Sequence, residues 1–170
     1  MKDVRFKSTL QEILLSNGSI NIEDVKFFIG VKALIKNVEN EILILKSGPW
    51  ELESTKRKET FWDLPGGKIR KGEQVEQTVK REISEELGID KNQLEILELF
   101  DASISNFRFS HGQDVPLMLV TFLCKFVNIP KNFKLTLEHA DYKWASLNEA
   151  KNLLAEKFNK TFIDKLSNLP

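Results

Sequence analysis

The sequence predicts an α+β fold or a layered αβα sandwich, and three observations predict it. Apolar, strand-like runs follow one another and enclose a single amphipathic helix. Further helical patterns fall only near the end of the chain. The regular strand–helix alternation that a doubly wound nucleotide fold needs is absent. At 170 residues the chain suits one domain with a substantial core.

The elements follow in order. Phe6, Leu10, Ile13 and Leu14 stand at helical spacing before Ser16-Asn17-Gly18, so residues 4–15 read as a short helix docked on the main domain. Two apolar runs, 27–36 and 41–46, flank the polar Asn37-Val38-Glu39-Asn40 and read as a hairpin. The segment 47–60, with the basic triplet Lys56-Arg57-Lys58, is long for a connection. Phe61 to Leu64 reads as a short strand entering Pro65-Gly66-Gly67. The central helix runs from about Gln74 to Leu87 and is stopped by Gly88. Leu94–Ser105 and Val115–Val127 read as longer strands around a polar, aromatic-bearing loop, 106–114. Further strands are expected at Phe133–Leu137 and around Tyr142–Ala145. Ser146 and Glu149 have the spacing of a capping box, opening helices over 147–157 and 159–167.

Composition narrows the function. Twenty-five basic and 25 acidic residues leave no net charge, so nothing global draws the chain to nucleic acid or an anionic membrane. Cys124 is the only cysteine, which excludes an intrachain disulfide and a four-cysteine zinc site. With no apolar leader at Met1-Lys2-Asp3-Val4-Arg5 and no apolar run of membrane length, a soluble protein of the reducing cytoplasm is expected.

The chemistry concentrates in residues 61–89. Gly67 is followed after five residues by Glu73, and after seven more by Arg81-Glu82-Ile83-Ser84-Glu85-Glu86-Leu87-Gly88-Ile89. On a wheel of 100° per residue with Glu82 at zero, Glu85 falls about 60° to one side and Glu86 about 40° to the other. Val75, Val79, Ile83 and Leu87 occupy the arc from about 20° to 140°, so the helix docks by one stripe while three acids border it. Glu82 and Glu86 repel at a spacing of four, and Glu85 and Glu86 sit where the helix dipole disfavours anions. Arg81 can relieve this through Glu85 or through Glu73; a hard divalent cation such as Mg²⁺ or Mn²⁺ relieves it better. Gly66 and Gly67 let backbone approach a ligand or offer a carbonyl to a metal. Chance coincidence of the whole pattern is on the order of 10⁻⁷ from average residue usage.

This stretch resembles a complete Nudix box, and Trp62-Asp63-Leu64-Pro65-Gly66-Gly67-Lys68-Ile69 resembles the MutT-like branch of the Nudix hydrolases. A looser likeness extends over about residues 27–157. The resemblance implies a Nudix-type αβα sandwich around a mixed β-sheet, dividing the chain into an N-terminal helical extension, 1–26, and a Nudix domain, 27–170. It implies hydrolysis of a nucleoside diphosphate linked to another moiety, by water attack at phosphorus with Mg²⁺ or Mn²⁺. Glu85 and Glu86 would be the main metal ligands and Glu82 a further ligand or the base; the Gly66 carbonyl would be an additional ligand. Arg81 and Glu73 would form the orienting pair. One more acid from outside the box is expected, with Glu138 preferred to Asp114. Lys68, Arg70, Arg57 and Arg108 are candidate phosphate partners, and Phe107 and Phe109 candidate base-stacking rings. His111 and His139 lack a paired ligand spacing and read as surface or hydrogen-bonding residues.

Among substrates, a nucleoside triphosphate, including oxidised or non-standard ones, is the default. ADP-ribose hydrolases of the family tend to carry a proline where Ile104 and Ser105 stand, and dinucleoside polyphosphate hydrolases a tyrosine where Phe107 stands. The alternatives are a hydrolase of ADP-ribose or another sugar nucleotide, and a non-catalytic Nudix-fold nucleotide-binding or regulatory module. A small-molecule nucleotide is the expected partner, and a monomer or homodimer the expected state.

Overall fold

The structure is a computed structural model that describes residues 27–48, 50–51, 58–110 and 114–169. The expected N-terminal helix, Arg57 and His111 lie outside the described residues. The strands are β1 (Phe28–Ile35), β2 (Ile42–Ser47), β3 (Trp50–Glu51), β4 (Lys58–Glu59), β5 (Trp62–Asp63), β6 (Leu94–Ser110), β7 (Asp114–Phe126) and β8 (His139–Ala145). The helices are α1 (Val75–Leu87), α2 (Leu147–Leu154) and α3 (Lys160–Leu166), with a 3-10 turn at Lys91–Gln93. Among the described residues no helix is long and apolar enough to cross a membrane.

A mixed sheet has the order β1-β7-β6, in which β1 is parallel to β7 and β6 antiparallel to it. A second sheet, β5-β2-β8, is antiparallel, and β3 pairs with β4. The expected hairpin of β1 and β2 is therefore corrected. Their polar turn exists, with Asn40 at φ 62°, but the two strands share only the bridge Lys36–Ile42 and enter different sheets. Both are apolar on both faces, so each sits inside the molecule, covered on two sides, where a hairpin with one solvated face would alternate.

That two-sided burial builds two cores. Val31, Ala33 and Ile35 of β1, Leu43 and Leu45 of β2, and Phe122, Cys124 and Phe126 of β7 face Val79, Ile83 and Leu87 of α1. Leu34, Ile42, Ile44, Leu117, Leu119 and Leu123 face the other way, onto Ala150 and Leu154 of α2 and Phe158, Phe162 and Leu166. The αβα layering follows. Gly88 ends α1 with φ 65°, and the Ser146 hydroxyl accepts from the Glu149 amide at the start of α2, both as the sequence predicts.

Two further expectations change. Residues 106–110 continue β6, and β7 begins at Asp114, so part of the expected loop is hairpin ladder with Arg108 opposite Pro116. Residues 133–137 form no strand; Phe133 is instead a single buried anchor against Tyr142 and Trp144.

Candidate active site

Backbone pairing positions the loop that enters α1. Val31 N–H donates to the Gly67 carbonyl and Ala33 N–H to the Pro65 carbonyl, both at 2.8 Å. Gly66 lies at φ 129°, and a Cβ there would collide with the Val31 carbonyl, so only glycine fits. At Gly67 a Cβ would stand 2.6 Å from the Glu82 carboxyl carbon. The loop thus lies directly on the acids of α1.

The three acids are graded in burial rather than aligned along a border. Glu86 is 6 % exposed. One of its oxygens accepts from Gly66 N–H at 2.7 Å and the other meets His139 Nε2 at 2.8 Å. The Glu85 side chain is 46 % exposed and the Glu82 side chain mostly covered. Burial raises the Glu82 carboxyl above its ordinary range; Arg81 opposes this, while the charges of Glu86 and Glu85 add to it.

Arg81 and Glu73 form the expected pair. Arg81 Nε donates to Glu73 Oε1 at 2.6 Å and Nη2 to Oε2 at 3.0 Å, a bidentate fork. Glu73 also accepts from Thr78 Oγ1 at 2.8 Å and from Arg70 N–H at 3.0 Å. The Arg81 hydrogen bond, with help from the Arg70 amide, holds the Glu73 carboxyl down at about 2. The other arm of Arg81, Nη1, lies 2.5 Å from Glu82 and 3.0 Å from Glu85.

Among the described residues no three acid, histidine or cysteine side chains converge on one point, because the guanidinium stands between Glu82 and Glu85. Those two carboxylates nevertheless share the Arg81 guanidinium, which Glu73 also holds, and Arg70 adds an exposed contact to Glu85. The oxygens of Glu82 and Glu85, with those of Glu86, suit a hard cation such as Mg²⁺ or Mn²⁺.

The remaining expected residues scatter. Lys68 Nζ lies over the Phe28 ring, 4.7 Å from its centroid, and the Lys68 carbonyl accepts from Arg81. Arg70 reaches Glu85 at 3.3 Å. Phe107 packs edge-on against Phe61, centroids 4.9 Å apart. Arg108 and Phe109 lie in β6, and Asp114 opens β7 opposite Ser110. Glu138 is exposed in a turn, and its carbonyl accepts from Gly48 N–H. Its neighbour His139 is the residue that touches the box.

Sequence reasoning missed a buried cluster behind the loop. Lys32 Nζ donates to Asp63 Oδ2 at 2.7 Å, to the Leu64 carbonyl at 3.1 Å and to the Gly66 carbonyl at 2.6 Å. Lys157 pairs with the same Asp63 oxygen. Burial would raise Asp63, but the charges of Lys157 and Lys32 bring it below its ordinary value. Burial lowers Lys157 to about 8, against the pull of Asp63. The signal for Lys32 was a charge in the middle of the apolar run Gly30-Val31-Lys32-Ala33-Leu34. Glu86 also had one: at about 40° it falls inside the apolar arc of the wheel, not beside it.

Residues 26–166 match the family profile described as the NUDIX domain. The chain is 31 % identical over 104 residues to a bis(5'-nucleosyl)-tetraphosphatase (asymmetrical) of Sus scrofa, covering 61 % of this chain and 68 % of that one. It is 30 % identical over 87 residues to the nucleoside triphosphatase NudI of Escherichia coli, covering 49 % of this chain and 60 % of NudI's length. A MutT protein of Methanosarcina mazei Go1 superposes with TM-score 0.62 at 25 % identity, over 88 % of this chain and 95 % of that one. By profile, sequence and fold, this chain belongs to the Nudix hydrolase family.

Proposed function

We propose that this protein is a pyrophosphohydrolase that cleaves a phosphoric anhydride within a nucleoside diphosphate derivative, with a nucleoside triphosphate as substrate and Mg²⁺ or Mn²⁺ as cofactor. The observation that carries the reading is the acid set of α1. Glu82 and Glu85 flank one cation, and Glu86 is buried beside them against the glycine loop.

Glu85 and Glu86 would hold the metal, with Glu138 as a further oxygen ligand; the Gly66 carbonyl already accepts from the Lys32 ammonium. A bound divalent cation would polarise the bridging phosphates and neutralise charge that develops in the transition state. Glu82 is either a further oxygen ligand or the group that orients the attacking water and accepts its proton. Glu73 acts through Arg81, clamping the guanidinium so that its other arm meets Glu82 and Glu85. Lys68, Arg57 and Arg108 meet the phosphates, and Phe107 and Phe109 the base. Residues 27–170 act as the catalytic unit.

A second substrate reading, a dinucleoside tetraphosphate, is favoured by the likeness to the Sus scrofa enzyme. The test is metal-dependent release of phosphate, pyrophosphate or mononucleotide from a panel of nucleoside triphosphates, dinucleoside tetraphosphates and sugar nucleotides. Turnover fastest on triphosphates supports the first reading. No turnover on any member, with Mn²⁺ bound, points to a non-catalytic binding module.

A further inference from the structure

Lys32 is buried, and all three donors of its ammonium are used: on Asp63, on the Leu64 carbonyl and on the Gly66 carbonyl. A buried ammonium is costly to desolvate and is kept only where its partners compensate it. Asp63 does not require it, because Lys157, also buried, already neutralises that carboxylate. Two ammonium groups on one aspartate leave a positive charge over at that carboxylate, part of which Glu86 offsets through Lys157, and two of the three Lys32 donors go to the loop rather than to the acid.

The loop is where that surplus acts. Three successive carbonyls, of Pro65, Gly66 and Gly67, are taken in turn by Ala33 N–H, Lys32 Nζ and Val31 N–H. Backbone pairing takes the outer two, and the Lys32 side chain takes the middle one. Gly66 in turn donates its N–H to Glu86, and Gly67 lies against Glu82. We propose that Lys32 is a positioning residue for the metal site: by holding the Gly66 carbonyl it sets the glycine loop against Glu86 and Glu82. The inference rests on the reading of the α1 acids as metal ligands and adds a residue outside the box to that site.

The experiment is Mn²⁺ binding followed by electron paramagnetic resonance on the full chain, with thermal unfolding measured alongside. K32M keeps the volume and leaves Asp63 paired with Lys157; K157M removes the other ammonium and leaves Lys32 in place. Lost support of a metal ligand typically costs about 10–100-fold in affinity, so K32M should raise the Mn²⁺ dissociation constant by that factor, while K157M, which removes a positive charge acting on Glu86, should not raise it. A K32M protein that binds Mn²⁺ as the wild type does, whatever its melting temperature, overturns the inference. So does a K157M protein weakened as much as K32M, because then the cluster acts only through stability.

The parent reading fails separately: wild type that does not bind Mn²⁺, or E86Q that binds as tightly as wild type, removes the metal site itself. If K32M does not fold, NMR on the wild type carries the test. Saturating Mg²⁺ should shift the Lys32 Nζ and Gly66 carbonyl resonances together with the Glu86 carboxylate, and a Lys32 resonance that ignores Mg²⁺ overturns the inference.

Discussion

At the scale of single residues, the acids of α1 are neighbours in sequence but occupy different environments, and substitutions should separate them. E82Q and E86Q should each lower turnover by on the order of 10² or more, measured as kcat on the preferred panel nucleotide. Their stabilities should diverge. E82Q removes a charge that burial and two neighbouring acids already disfavour, so melting without metal should hold or rise slightly. E86Q weakens a buried acceptor of Gly66 N–H and His139, and should cost about 1.5–3 kcal/mol, read by urea unfolding. At Gly67 an added methyl would displace the end of the Glu82 side chain rather than backbone. G67A should therefore fold normally by circular dichroism while kcat falls about 10²-fold, the scale of a 1 Å misplacement. Glu73 supplies the pH dependence. Its folded value, about 2, lies below the ordinary 4.5, so its stabilising contribution is complete above pH 4.5 and is lost as pH falls toward 2. The melting temperature of E73Q should fall less than that of wild type across that window; parallel curves would remove Glu73 from acid unfolding.

At the scale of elements, α1 was the most legible part of the chain because one helix carries both its docking stripe and its chemistry. Val79, Ile83 and Leu87 are buried where the 3.6-residue period places them, and Gly88 stops the helix with the left-handed backbone that its position suggested. Ile83→Ala should cost about 2–5 kcal/mol, from lost burial and the cavity left beneath the acids, as read by chemical denaturation. The strands were legible as apolar runs but their partners were not. A run of β2 such as Ile42-Leu43-Ile44-Leu45 states that both faces are covered; it does not state by what, and here the neighbours are β5 and β8 rather than β1. The segment at 106–110 misled for a different reason: polar residues and a charge there suit the end of a hairpin as well as a loop.

At the scale of the whole molecule, the mixed sheet separates two cores, one under the acids and one under the C-terminal helices. Phe162 is fully buried in the second, against Phe158 and Phe100. Phe162→Ala should cost about 3–5 kcal/mol of stability while kcat measured well below the melting temperature stays near wild type, since the acids sit on the other face. At the loop of glycines the layers meet through polar groups from both sides. Glu86 and His139 approach it from the α1 side, and Lys32, Asp63 and Lys157 from behind.

The amino-acid order by itself determined the family, the acid set, the Arg81–Glu73 pair and the helix that carries them, because these lie within one contiguous stretch of local spacing and helical period. Tertiary structure decided what depends on residues far apart in the chain. It turned Glu86 inward against His139, 53 residues away, and gave Asp63 a second cation from Lys157, 94 residues away. It also placed Lys32 on the Gly66 carbonyl. Such contacts arise from strand pairing and layer packing, which no local period encodes.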